Sequence, residues 1–353
     1  MAEPIFSLAP MQAISTLAFW RVMEKRGGPD VYITEYFRVH VHSTPERKIL
    51  ASLNESDFAK PILAQMIGTE PEYLVRTAQQ IQQMTDCAGI DINLGCPSPR
   101  VCGRAAGGAL LKSADLIREI VESLRPVVAG TLTLKTRVGF ESEAEFESLL
   151  DLFSGLPIDG LAIHGRTVRE KYQSEVHTRE IAMAVEQLDI PVHANGSIVT
   201  VPTARSMYQK TRAAGLMIGR GAIRNPWLFD QIRQSFHNEE IYHPTLADHL
   251  RYVEDLYEEI ASTSWQYEEV KHVQRMKKFM NYIASGIGGG EFSAEIRRVQ
   301  SANQFWEVCH RHLGGSEPLP EEPTADGKLF CGFKELQDQT GYGPELNRVQ
   351  CPT

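Results

Sequence analysis

From residue 5 to about residue 236, short apolar runs alternate with longer stretches in which apolar residues recur every three or four positions between charges. The short runs have the composition of β-strands, and the longer ones have the pattern of amphipathic helices lying on a sheet. Together they predict repeated βα units around a parallel sheet. Eight runs fit: Ile5–Met11, Val31–Phe37, Pro61–Gly68, Gly89–Pro97, Thr131–Gly139, Gly160–Arg166, Pro191–Ser197 and Gly215–Gly221. Between them, Glu72–Met84, Ala114–Leu124 and Glu143–Phe153 show the helical spacing. Eight strands with helical crossovers close most economically into a barrel, so the predicted fold class is α/β, a (β/α)8 TIM barrel.

After about residue 240 the strand signals stop. His249–Ala261, Glu269–Ser285 and Ser293–Arg311 are predicted helices, interrupted by the glycine run Gly286–Gly290. The pattern therefore divides the chain into a barrel at 1–240, a C-terminal all-helical domain at 241–313 and an irregular tail at 314–353. The tail is rich in Pro, Gly and acidic residues. Its one apolar cluster, Leu329-Phe330-Cys331-Gly332-Phe333, offers a surface that can dock on the body, and the tail is assigned no role.

Composition narrows the class. With 353 residues, 42% of them hydrophobic and 23% charged, the chain has an ordinary globular balance and enough apolar material for a large core. No apolar run reaches the roughly 20 residues that span a bilayer. Met1-Ala2-Glu3-Pro4 lacks the basic and apolar segments of a signal peptide, so a cytoplasmic address with no membrane association is expected. The six cysteines, Cys87, Cys96, Cys102, Cys309, Cys331 and Cys351, show no paired spacing, which argues against a disulfide framework or a metal site. A net charge of −9 opposes indiscriminate binding to nucleic acid, so any RNA contact needs locally concentrated basic groups. Nothing in the sequence points to an obligate protein partner.

Active sites of such barrels form where the βα loops converge, at the C-terminal ends of the strands. Gln65, Cys96, Lys135, His164, Asn195 and Arg220 all fall at or just past predicted strand ends. Asn195-Gly196-Ser197 and Gly219-Arg220-Gly221, after the last two strands, put small residues where backbone N–H groups can approach a phosphate, and Arg220 adds a charged fork of donors. That phosphate can belong to FMN or to a substrate. Ala9-Pro10-Met11 offers an apolar surface for a flat ring, Gln65 can bond the ring edge, and Lys135 can sit beside the N1–O2 edge that becomes anionic when a flavin is reduced. Lys135 also suits a Schiff-base nucleophile, a rival chemistry on the same fold. The run Asp91-Ile92-Asn93-Leu94-Gly95-Cys96-Pro97 brings a thiol to the barrel mouth. The following Ser98–Gly108, with Arg100, Arg104 and three glycines, reads as a flexible cationic loop that keeps Cys96 accessible; Cys102 reads as a loop residue.

In this order the motifs resemble those of the tRNA-dihydrouridine synthases. They are Ala9-Pro10-Met11, Thr34-Glu35, Gln65-Met66-Ile67-Gly68, Asn93-Leu94-Gly95-Cys96-Pro97, Lys135-Thr136-Arg137-Val138-Gly139, His164-Gly165-Arg166-Thr167, Ala194-Asn195-Gly196 and Gly219-Arg220-Gly221, spread over residues 5 to about 312. Ser197 stands where the family often has Asp. The resemblance implies FMN at the barrel mouth, NADPH as reductant, and reduction of the C5–C6 double bond of a uridine in tRNA, with the D-loop as the family's expectation. It also implies Cys96 as proton donor to C5, with Asn93, Lys135 and His164 on the polar edges of uracil or flavin and Arg166 nearby.

A uracil in folded tRNA must leave its stack to reach such a site. The grip on the backbone is expected from Lys271–Arg298, where Lys271, Arg275, Lys277, Lys278, Arg297 and Arg298 outnumber Glu291 and Glu295, and where Lys271, Arg275 and Lys278 recur at helical spacing. An FMN enzyme acting on a free pyrimidine leaves this basic segment idle. A flavin-free Schiff-base lyase and a non-catalytic RNA-binding barrel are the rivals from other classes.

Overall fold

The computed structural model describes residues 3–263, 268–325 and 329–338. Its strands are β1 (Ile5–Leu8), β2 (Tyr32–Ile33), β3 (Phe37–Arg38), β4 (Ile62–Ile67), β5 (Gly89–Asn93), β6 (Thr131–Arg137), β7 (Gly160–His164), β8 (Val192–Asn195) and β9 (Gly215–Ile218). The pairing runs β2-β4-β5-β6-β7-β8-β9-β1 and is parallel throughout. A bridge between Ser7 and Val31, with Leu8 N–H donating to the Val31 carbonyl at 3.1 Å, joins β1 to the start of β2 and closes the barrel.

The predicted strand Val31–Phe37 is present as two short pieces, since β2 and β3 both pair with β4. Between them the Thr34 hydroxyl, in place of a backbone carbonyl, accepts the Gln65 N–H at 3.0 Å, and the ladder is interrupted there. Elsewhere the real strands stop before the predicted ends, because turns such as Gly95-Cys96-Pro97 and Gly196-Ser197 leave the ladder. The register of β5 on β6 needs a glycine: a Cβ at Gly89 would lie 2.0 Å from the Thr131 carbonyl oxygen.

Helices cover the outside, and the longer ones turn an apolar stripe inward. In Ala114–Leu124 the buried residues are Ile117, Ile120, Val121 and Leu124, each contributing about 1.5–3 kcal/mol by burial. The C-terminal helices are Leu246–Ser262, Glu269–Ile283, Glu291–Ile296 and Ala302–Leu313. The last two replace the single predicted helix Ser293–Arg311; the chain restarts at Ser301, whose side chain caps the Gln304 N–H at 3.3 Å. One apolar core runs from the barrel layer into these helices. Phe19, on the first barrel helix, meets the Phe279 ring with centroids 5.5 Å apart.

The tail differs most from the irregular segment expected of it. Thr245 bridges to Pro318, and helix Phe333–Asp338 packs on helix Val201–Thr211, where the Ser206 hydroxyl donates to the Leu336 carbonyl at 2.6 Å. The wholly buried Arg224 gives its guanidinium to the carbonyls of Ser285 at 2.8 Å, Glu321 at 3.1 Å and Glu322 at 3.0 Å, and also to Pro320. The rest of the tail, 339–353 with Cys351, lies outside the described residues. Arg224→Met leaves these acceptors buried without a donor and is expected to cost about 3 kcal/mol or more, read from the urea midpoint at unchanged slope. Among the described residues no helix is long and apolar enough to cross a membrane.

Candidate active site

A cavity of about 480 Å³ opens at the C-terminal ends of the strands, within the range of small-molecule sites. On one side stands Cys96, held by a turn that Asn93 builds. The Asn93 Oδ1 accepts the N–H of Gly95 at 3.1 Å and of Cys96 at 2.9 Å, while its Nδ2 donates to the Gln65 Oε1 at 2.9 Å. Gln65 in turn donates to Asp91 at 2.7 Å, and Asp91 accepts from the Thr133 hydroxyl at 2.6 Å. A buried, fully bonded chain of side chains thus fixes where the thiol stands. Burial raises the Asp91 carboxyl to about 6, against the pull of its hydrogen bonds. Burial likewise raises the Cys96 thiol above the usual cysteine value, so it is protonated at neutral pH.

Across the cavity, the Lys135 Nζ donates to the Asn195 Oδ1 at 3.2 Å, and the Asn195 Nδ2 donates to the Met217 carbonyl at 2.7 Å. Burial first, and the charge of Arg137 second, lower Lys135 to about 8. His164 is buried, its Nδ1 has no partner among the described residues, and burial with the neighbouring Arg137 keeps the imidazole neutral. The ring of Tyr172 stands edge-on to it at 5.9 Å.

The third side is the corner after β8 and β9. Gly196 has φ +134° and Ser197 φ +51°, a left-handed pair that turns the chain sharply. Among the described residues, nothing accepts from the backbone N–H groups of Gly196, Ser197, Gly219 or Arg220. A Cβ at Gly219 would meet the Ala9 Cβ at 3.3 Å and the Met11 sulfur at 3.5 Å, so the glycine lets Ala9-Pro10-Met11 close that side of the cavity. The half-buried Arg220 stands 4.8 Å from the Tyr172 ring centre. Free donors, a guanidinium and a narrow apolar wall form a place for an anion joined to a flat ring.

Residues 7–313 match the family described as Dihydrouridine synthase (Dus). The chain belongs to that family. It is 31% identical over 298 residues to tRNA-dihydrouridine synthase B of Pseudomonas aeruginosa, covering 84% of this chain and 89% of the relative. It is 34% identical over 230 residues to a probable tRNA-dihydrouridine synthase of Helicobacter pylori, covering 65% and 70%. Among solved structures, histamine dehydrogenase from Rhizobium sp. 4-9 aligns at TM-score 0.53 and 11% identity, over 88% of this chain and 62% of that one. A 2-naphthoyl-CoA reductase complex aligns at TM-score 0.52 and 10% identity, over 94% and 70%. These two likenesses concern the fold alone.

Within this dihydrouridine synthase, Ala9, Pro10, Met11, Asn93, Cys96, Lys135, His164, Asn195, Gly196, Ser197, Gly219 and Arg220 line one cavity. Gln65 does not: it is wholly buried behind Asn93, its Oε1 accepting from Asn93 and its Nε2 donating to Asp91. Arg166, expected near the substrate, is also wholly buried. It is a strut behind the corner, donating to the Ser174 carbonyl at 2.6 Å, the Ser197 hydroxyl at 2.7 Å and the Cys331 carbonyl at 3.2 Å. The expected flexible loop Ser98–Gly108 is folded into helix Pro99–Cys102 and a 3-10 turn from Gly107, with the Cys96 carbonyl accepting the Gly108 N–H at 3.1 Å. Arg100 and Arg104 are exposed on it, outside the cavity lining.

Sequence reasoning missed Tyr36, Arg137, Tyr172, Tyr282 and Leu329, all of which line the cavity. Tyr36 stood next to Thr34-Glu35, Arg137 lay inside the motif Lys135–Gly139 and Leu329 opened the tail's apolar cluster, but none of these was assigned to the site; Tyr172 and Tyr282 had no signal. On helix Glu269–Ile283, Lys271 and Lys278 are exposed and Arg275 is half-buried, while Val273, Met276 and Met280 are buried. Lys271 pairs with Glu268 at 2.7 Å. The charge of Lys278 reaches Glu35, between β2 and β3, which places it toward the mouth.

Proposed function

We propose that the chain binds FMN in this cavity, uses NADPH as reductant, and reduces the C5–C6 bond of a tRNA uridine with Cys96 as acid. The carrying observation is the Asn93-held thiol lining the same cavity as Lys135, His164 and the donor-rich corner. The donor set fits FMN. Gly196, Ser197, Gly219 and Arg220 would hold its phosphate, Ala9-Pro10-Met11 would back its ring, and Lys135, His164 and Asn195 would meet its polar edges. The bound flavin supplies hydride to C6 of the uracil. Cys96 gives its proton to C5 as that carbon gains negative charge, and water at the mouth restores the thiol. Asn93 keeps the sulfur in place through the turn.

The relatives' names carry tRNA as substrate, and a base must leave its stack to enter a cavity at the strand ends. Lys271, Arg275 and Lys278 would contact backbone phosphates, with Arg100 and Arg104 as further contacts at the rim. The purified chain is expected to be yellow, and with NADPH and unmodified tRNA to add two hydrogens per target uridine by mass spectrometry. A colourless chain that leaves tRNA mass unchanged when FMN is supplied defeats the reading. Reversing charge at Lys271 and Lys278 together is expected to weaken tRNA binding and lower its salt slope by about 2, with flavin content retained. An unchanged slope excludes this surface.

A further inference from the structure

The segment beyond residue 313 lies outside the matched family region, yet three of its residues touch every loop of the anion corner. Arg220, after β9, donates to the Leu329 carbonyl. Ser197, after β8, donates its hydroxyl to the Cys331 carbonyl at 3.1 Å, and Arg166, after β7, donates to the same oxygen at 3.2 Å. The Cys331 thiol donates to the carbonyl of Tyr172, whose ring lies against Arg220. Phe330 and Phe333 are buried together against Val199, and Phe330 meets Tyr282 edge-on at 6.1 Å, so the segment is anchored independently of these hydrogen bonds.

We propose that Leu329-Phe330-Cys331 is a staple that binds the three loops together and positions Arg220 for the ligand's phosphate. This rests on the reading that the corner holds the phosphate of a flavin. An arginine side chain has many rotamers, and the entropy of ordering it subtracts from whatever it binds. Here one donor of Arg220 is committed to Leu329, while among the described residues its Nε and Nη2 have no acceptor. The staple is a wall rather than a plug, because the corner's N–H donors stay unsatisfied and the cavity keeps its volume of about 480 Å³.

The test compares FMN with riboflavin, which lacks only the phosphate, by fluorescence titration of the full-length protein and of the double variant Phe330→Ala, Phe333→Ala. The wild type is expected to favour FMN, and the variant to lose roughly tenfold or more of that preference at nearly constant riboflavin affinity. Riboflavin binding thereby reports that the barrel is intact. If the double variant binds neither flavin, the ratio is read on Phe330→Ala alone, which keeps Phe333 and its helix as an anchor. An unchanged FMN-to-riboflavin ratio, or an equal fall for both ligands in a folded variant, overturns the staple and leaves the flavin reading standing. Tighter FMN binding in the variant overturns it in favour of a plug. A wild-type chain that binds both flavins equally removes the phosphate corner itself, and the staple with it.

Discussion

Replacing Cys96 by alanine is expected to slow uridine reduction by roughly 10²–10⁴-fold, the usual contribution of a positioned general acid. Flavin binding should remain intact. Cys96 lines the cavity but is held by its main-chain N–H, which donates to the Asn93 Oδ1 at 2.9 Å, so the shorter side chain leaves the turn standing. Burial holds the thiol protonated at neutral pH, the form that donates. A Cys96→Ala protein that binds FMN and turns over at the wild-type rate removes the sulfur from the chemistry. Asn93→Ala attacks the same function from behind. It frees two N–H groups and the Gln65 Oε1, and should lower both turnover and the unfolding midpoint.

Lys135→Met is expected to depress the reductive step by about 10²–10³-fold, as when one donor to a developing charge is lost. The ammonium sits in the cavity, where among the described residues its one acceptor is the Asn195 Oδ1 at 3.2 Å. Its pH dependence provides a second readout. Burial lowers Lys135 to about 8, so the charged form is full well below that pH and disappears as pH rises through it. The Cys96 thiol is raised, so its loss as an acid falls at higher pH still. Both groups therefore predict turnover that falls on the alkaline side, with the first limb near 8. Neither predicts an acid limb. His164 stays neutral, its imidazole held well below the usual histidine value by burial and by Arg137. In Lys135→Met the limb near 8 should vanish and the later one persist; a limb that stays belongs to another group.

Where a side chain sits along a strand was legible, and where it sits within the barrel's layers was not. Cys96, Lys135, His164 and Asn195 were found because a parallel barrel brings the last residues of its strands to one mouth. Gln65 met the same criterion yet pairs in register with Asp91, two residues before Asn93, one layer below that mouth. Depth depends on strand stagger, which a single strand's pattern does not carry. Arg166 follows His164 closely in the chain, but the turn carries it behind the corner.

The alternation of apolar and polar residues determined by itself that eight parallel staves and their helices would form, because each element's periodicity is a local property. It also determined which strand ends would carry a thiol, an ammonium and an imidazole. Only the tertiary structure decided that the tail belongs to the site. The bond from Arg166 to Cys331 joins residues 165 apart in sequence. A backbone carbonyl, the acceptor there, is common to every residue type, so no residue pattern marks which one a buried guanidinium will find.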